Sequence, residues 1–457
     1  MIRGRAVFFT CAVALVFMGA AALWGLNTRD ESAAPTGAPD TLTSALQPDP
    51  AQVQRGAYLA RAGNCMACHT ARGGPRYAGG RAIATPFGTV YTSNLTPDAA
   101  TGLGQWTPSD FWRALHNGRS KSGRLLNPVF PYTSYTLVTR ADSDALWAYL
   151  KSLPAVAQPN TPPALRFPYN TQAALAVWRA LYFKPGAYSP DSQRSADWNR
   201  GAYLVTGLGH CGACHTARDA LGGPDGPELG GGMIPVQNWY APSLTDSAEA
   251  GLRDWPTASV VRLLGGGATL HGDATPVAQQ GVVNGPMTEV VAGSTQYLSD
   301  SDLAAMANYL KALPAPDESA KAPVIAVMAT APSAVAAAPG AAVSTRGAEL
   351  YEQHCAQCHG ASGGGVANAY PALAGNRAVL MPQTANLVQV VLNGGYAPAT
   401  ARNPRPFGMP PFVLVLDDSD IAAVLTHVRS SWGNRAPAVT PLDVTRLRGG
   451  GGVSAGQ

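Results

Sequence analysis

A mainly α fold is what the 457-residue sequence predicts, arranged as three tandem domains after an apolar N-terminal helix. Three observations carry it. One five-residue cysteine motif occurs three times at nearly even spacing, similar helical patterns flank each copy, and a single long apolar run opens the chain.

Six of the seven cysteines fall in that motif: Cys65-Met66-Ala67-Cys68-His69, Cys211-Gly212-Ala213-Cys214-His215 and Cys355-Ala356-Gln357-Cys358-His359. C-x-x-C-H is the attachment signature of c-type haem. Two thiols one helical turn apart can form thioethers to the two vinyl groups of one porphyrin. The adjoining histidine then supplies the proximal nitrogen to iron. A structural zinc site would need paired motifs close together, and a redox dithiol needs no histidine next to it. The expected cofactors are three covalent c-type haems. Cys65, Cys68, Cys211, Cys214, Cys355 and Cys358 would bind them, and His69, His215 and His359 would ligate iron.

Composition agrees. A chain of this length holds about three domains. Charged residues are only 13%, while Gly (50) and Pro (38) are abundant, as suits loop-rich domains whose cores are largely porphyrin. The formal charge of +4 is small and forms no basic stripe, which excludes nucleic acid as an expected partner.

Arg3 and Arg5 precede an uncharged, mostly apolar run from Ala6 to Leu26. As a helix it would reach about 31 Å, enough to cross a bilayer. Two readings stand: an uncleaved anchor, or a signal peptide cut near Ala20-Ala21-Ala22. Both carry the haem domains across the inner membrane to its periplasmic side, because the arginines hold the start inside. The run continues through Leu23, Trp24 and Leu26, which favours the anchor. Cys11, inside it, lacks a lipobox and reads as apolar filler.

The remainder is an internal repeat. Arg55-Gly56-Ala57-Tyr58-Leu59, Arg200-Gly201-Ala202-Tyr203-Leu204 and Arg346-Gly347-Ala348-Glu349-Leu350 each open a helix that runs to its haem motif. They lie ten, eleven and nine residues before the first cysteine. Each unit closes on a second helix, opened by Ser143-Asp144, Ser301-Asp302 or Ser419-Asp420 as cap. An N-terminal helix crossing a C-terminal helix beside a haem is the cytochrome c plan. The expected organisation is a signal or anchor over 1–30 and a first domain over 50–155. A Pro- and aromatic-rich linker (156–197), a second domain (198–315) and an Ala/Pro linker (316–343) follow. The third domain spans 344–434 and a disordered tail 435–457. Pro154 to Pro168 should be extended, whereas the stretch through Trp178 and Tyr182-Phe183 is aromatic enough to pack.

Several stretches resemble the triheme cytochrome c subunits of bacterial membrane-bound alcohol, aldehyde, gluconate and related dehydrogenases. They are Thr85-Pro86-Phe87-Gly88-Thr89, Ser93-Asn94-Leu95-Thr96-Pro97-Asp98, Thr101-Gly102-Leu103-Gly104, Trp198-Asn199-Arg200-Gly201-Ala202-Tyr203-Leu204, Gly209-His210-Cys211, Ser294-Thr295-Gln296-Tyr297-Leu298 and Ser431-Trp432-Gly433-Asn434. The resemblance spans about residues 52–434 and implies a subunit that takes electrons from a periplasmic dehydrogenase and delivers them to ubiquinone. Relatives serve quinoprotein, flavoprotein and molybdenum-cofactor dehydrogenases, so the expected partner is a catalytic subunit of one of these types.

Methionine opposite histidine gives a haem of raised potential. In the second unit Met287, in Gly285-Pro286-Met287, sits before the closing helix and matches the family's ligand position, ahead of Met233 and Met306. In the third, Met409 in Gly408-Met409-Pro410-Pro411 is placed likewise, ahead of Met381. The first unit departs: where relatives carry Met-Pro-Tyr, it reads Phe130-Pro131-Tyr132. Either its haem is five-coordinate, or His116 or Lys121 takes the sixth position.

The leading function is electron transfer without substrate chemistry, since no dinucleotide fingerprint or other cofactor motif occurs. The alternatives are a peroxidase-like haem enzyme working at the open first haem, and a cytochrome module of a terminal oxidase.

Overall fold

The computed structural model describes residues 49–269, 280–316 and 345–448, together with Gly19, Gly25 and Asn27. The expected membrane anchor or signal, and the Ala/Pro linker from residue 317, lie outside the described residues. Among the described residues no helix is long and apolar enough to cross a membrane.

The chain divides into two compact units, the first centred on residues up to Pro190 and the second on the remainder. In the first unit, helix α1 (Pro50–Ala62) leads to a short helix α2 (Cys65–Cys68) that carries the first motif. A hairpin of β1 (Ala82–Thr85) and β2 (Gly88–Tyr91) follows, then α3 (Pro108–Asn117), α4 (Tyr132–Tyr135) and α5 (Arg140–Lys151). Helix α1 crosses α5. The Pro-rich stretch beyond is extended, and its β3 (Ala164–Leu165) adds to β2 as a third strand. The aromatic stretch forms α6 (Gln172–Tyr182), whose Arg179 is buried and donates to Asn27 Oδ1 at 3.0 Å.

The second unit holds two further copies of this plan. One runs from α7 (Ala196–Ala202) through α8 (Gly212–His215), a hairpin of β4 (Gly232–Ile234) and β5 (Trp239–Ala241), and α9 (Thr257–Gly266). It continues with a small pair, β6 (Ala268–Thr269) and β7 (Gly281–Val282), then α10 (Pro286–Gly293) and α11 (Asp300–Lys311). The other runs from α12 (Thr345–His354) through α13 (Ala356–His359), α14 (Arg377–Leu380) and α15 (Ala385–Asn393). Strands β8 (Gly395–Tyr396) and β9 (Gly408–Met409) precede α16 (Asp418–Ser430). Helix α7 crosses α11, and α12 crosses α16.

The uneven spacing before the three motifs has a local cause. In the second copy the eleven-residue version continues α7 into a π-helix over Tyr203–Leu208. A π turn takes one residue more than an α turn, so the extra residue is absorbed inside the helix. His210 (φ 37°) then makes the same left-handed step before its cysteine as Asn64 (φ 50°) in the first copy.

Two expectations are corrected. The closing helices begin earlier than the Ser-Asp pairs suggested. Their caps are Thr139, Ser299 and Asp417, each accepting a hydrogen bond from the amide of an aspartate at the third helical position. In the first copy that aspartate is Asp142, so the repeat there is in register with Asp142 rather than Asp144. The tail is ordered through Arg448 rather than disordered from 435: helix α17 (Pro441–Arg448) buries Val444 completely, and Val439 is 5% exposed. These two valines extend the apolar core beneath α16, which stabilises a segment whose local composition is that of a loop.

Candidate haem-binding sites

Each motif sits on a short helix, which puts its two thiols one turn apart on one side. None of the six cysteines is in a disulfide. Burial pushes the Cys65 and Cys211 thiols up to about 12 and Cys355 to about 11, with the neighbouring thiol adding to the effect. These three are therefore neutral thiols.

The histidines are oriented alike. His69 Nδ1 lies 2.7 Å from the Ser93 carbonyl, His215 Nδ1 2.8 Å from that of Pro242, and His359 Nδ1 3.0 Å from that of Pro371. A carbonyl only accepts, so Nδ1 carries the proton and the Nε2 lone pair is left for a metal. Burial lowers the pKa of all three, keeping the rings neutral. The backbone carbonyl of each histidine accepts from a glycine amide, Gly79, Gly231 or Gly365, at 2.8 Å in every case. These glycines have φ of 76°, 86° and 71°. A Cβ on any of them would come within 2.7 Å of backbone belonging to the strand or turn that holds the accepting carbonyl. Only glycine closes this loop onto the histidine.

Two arginines, not anticipated from the sequence, brace the motifs. Arg81 donates to the Ala67 carbonyl at 2.5 Å, and Arg218 to that of Ala213 at 2.8 Å. A repeat signal for the accepting carbonyls was present: each lies two residues before a leucine, Leu95, Leu244 or Leu373. The amides of those leucines bond the carbonyls of Tyr77, Leu229 and Gly363.

Met287 is the second residue of α10, directly after Gly285 (φ 56°) and Pro286. A Cβ on Gly285 would meet the Trp239 ring of β5 at 2.5 Å, so the Met287 turn packs on the strand leading to Pro242. Met409 lies in β9, opposite Gly395. The nearby Phe407 packs at 5.1 Å on Tyr370, which faces His359 at 6.5 Å. The rival methionines lie elsewhere: Met306 is buried in α11, Met381 is buried where α14 ends, and Met233 is exposed on β4. In the first copy Phe130 rests 5.3 Å from the buried ring of Tyr135, beside the Cys65 and Cys68 thiols. His116 is buried and stacked on Trp112 at 4.4 Å, while Lys121 reaches the Gln105 carbonyl at the surface.

Neutral imidazoles bonded at Nδ1, each directly following a pair of thiols one helical turn apart, make these helical domains holders of covalent c-type haem. The family model described as cytochrome c matches residues 53–154, 199–314 and 344–432. The chain belongs to the cytochrome c family. It is 40% identical to the cytochrome c subunit of alcohol dehydrogenase (quinone) from Gluconacetobacter polyoxogenes, over 88% of this chain and 85% of that protein. It is 38% identical to the gluconate 2-dehydrogenase cytochrome c subunit of Pantoea cypripedii, over 88% and 90%. It is 34% identical to the fructose dehydrogenase cytochrome subunit of Gluconobacter japonicus, over 94% and 87%. None of these names a peroxidase.

Proposed function

We propose that this chain is a three-haem electron-transfer subunit that accepts electrons from a catalytic dehydrogenase and passes them to ubiquinone at the periplasmic side of the inner membrane. The observation that carries the haem count is the threefold recurrence of one histidine–carbonyl arrangement within one chain. The relatives' names support a dehydrogenase as partner. The haems supply one-electron redox chemistry. Cys65 and Cys68, Cys211 and Cys214, and Cys355 and Cys358 would hold them by thioethers, and His69, His215 and His359 would offer Nε2 to iron. Met287 and Met409 would be further iron ligands in the second and third domains, where a thioether would favour the reduced state. Phe130 offers no ligand, which leaves the first site open. The chain itself binds, orients and shields; the substrate is oxidised on another polypeptide.

Pyridine haemochrome assay of protein matured in a cytochrome c-assembling host should give three haems per chain. Replacing both cysteines of one motif should remove one. Purification from native membranes should yield a dehydrogenase whose substrate reduces all three haems, with electrons then passing to a soluble ubiquinone analogue. A count of two, or haems that stay oxidised in the intact complex with substrate, refutes the reading.

A further inference from the structure

Strand β5 runs straight into Pro242, whose carbonyl fixes His215. In a two-stranded antiparallel ladder alternate residues point their N–H and C=O away from the partner strand, leaving an open edge. In the first unit the corresponding edge of β2 is covered by β3, from the stretch that follows the first domain, Thr89 opposite Ala164. In the second domain no strand among the described residues covers β5. A side chain of the third domain does so instead. Asn386, on α15, accepts from the Tyr240 amide at 2.9 Å and donates to the Tyr240 carbonyl at 2.8 Å, as a β-strand neighbour would. One turn along the same helix face, Gln389 reaches the Asn238 carbonyl at 3.4 Å. On the other side of Pro242, Glu249 accepts from the Ser243 amide at 2.6 Å and from the Tyr240 hydroxyl at 3.0 Å. The Pro242 carbonyl is thus held between two clamps, and one of them belongs to a different domain.

We propose that Asn386 is a positioning residue for the second haem site. By fixing Tyr240 it holds the Pro242 carbonyl against His215 Nδ1, so that the third domain sets the basicity of the second haem's proximal ligand. A histidine that donates its second N–H to a well-placed acceptor is more basic and better stabilises the ferric state. Releasing the acceptor should therefore raise the potential of the second haem alone. The inference rests on His215 being that haem's ligand.

The test is a spectroelectrochemical titration of the full three-haem chain, with the second haem assigned by its loss in a Cys211→Ala, Cys214→Ala variant. Asn386→Ala should shift the second haem's equilibrium toward the reduced form about tenfold, the scale of outer-shell changes at ligating histidines, or about 59 mV for one electron. The other two haems should hold. Arg402→Ala breaks a different contact between the same two domains, the ion pair to Asp300 at 2.5 Å, and should move none of the three. If Asn386→Ala does not load fully, Asn386→Asp keeps the acceptor for the Tyr240 amide, loses the donor, and should shift the same haem in the same direction. An unmoved second haem in a fully loaded variant overturns the inference while leaving the three-haem reading intact. So does a shift in the third haem instead, or an equal shift from Arg402→Ala. A wild-type count below three overturns the reading beneath it.

Discussion

Gly56 lies so close to Ala145 that a Cβ built on the glycine would stand 1.9 Å from the Ala145 carbonyl oxygen. The same contact recurs between Gly201 and Ala305 at 2.0 Å and between Gly347 and Ala423 at 2.4 Å. The glycine of each Arg-Gly-Ala run is thus the point where the first and last helices of a domain touch backbone to backbone. Gly56→Ala, Gly201→Ala and Gly347→Ala should each force the helices apart and cost about 3 kcal/mol, at the upper end for overpacking. The exposed Gly186, where an added methyl group would meet nothing within 4 Å, serves as control. Its alanine variant should stay within about 0.5 kcal/mol of wild type. Denaturant melts of the haem-loaded protein check both.

The arginine before each glycine pairs with the aspartate at the third position of the closing helix. Arg55 Nε donates to Asp142 at 2.8 Å, Arg200 Nη2 to Asp302 at 2.7 Å, and Arg346 Nε to Asp420 at 2.9 Å. The side chains of the three aspartates are 3%, 12% and 20% exposed. Truncation should therefore be graded. Asp142→Ala should cost about 1–3 kcal/mol because it strips a buried ion-paired group, and Asp420→Ala about 0.2–1 kcal/mol, as for exposed pairs. Equal costs across the series would contradict this ranking.

Arg429 is fully buried and donates to the carbonyls of Val379, Met381 and Pro437 at 2.5, 3.0 and 2.8 Å. One guanidinium ties α16 to α14 and to the chain leading into α17. Lysine has a single nitrogen and cannot span these acceptors. Both Arg429→Lys and Arg429→Leu should destabilise the third domain by about 1–3 kcal/mol, the cost of leaving buried acceptors unsatisfied, and limited proteolysis should then release the segment after Pro437 first.

Burial holds the Glu228 carboxyl above its ordinary 4.5. The unfolded chain ionises this group first, so above 4.5 the native state binds more protons and its stability falls as pH rises. Glu228→Gln cannot ionise. Its stability should fall less than wild type as the pH rises above about 4.5, and parallel melts over a pH series would show the difference or its absence.

With Phe130 standing where the resemblance implies a methionine, and His116 stacked on Trp112, the first haem should be five-coordinate. About a third of the ferric iron, one site of three, should be high-spin and bind carbon monoxide when reduced. Phe130→Met should convert that fraction to low-spin and raise its potential, whereas His116→Ala should leave it high-spin. Three indistinguishable low-spin haems in the untouched protein would contradict the assignment.

The repeat, the helix pair of each domain and the haem chemistry were all legible in the order of residues. Those features depend on residues close in the chain: a C-x-x-C-H helix needs only its own turn, and Arg-Gly-Ala and the closing aspartates recur at readable spacing. The caps of the closing helices were misplaced because a neighbouring Ser-Asp pair offers the same capping chemistry two to four residues along. Helix α17 read as a disordered tail because one buried valine in a polar segment has no periodic signature. Which carbonyl each histidine bonds was harder to read, since Ser93, Pro242 and Pro371 contribute backbone atoms that any residue could supply, and their one mark in the chain is the leucine two residues on. Asn386, 146 residues from Tyr240 in sequence, became visible only in three dimensions, where it completes the strand edge beside His215. A side-chain amide becomes a strand partner only when folding brings it to an open edge, and spacing along the chain carries no record of that.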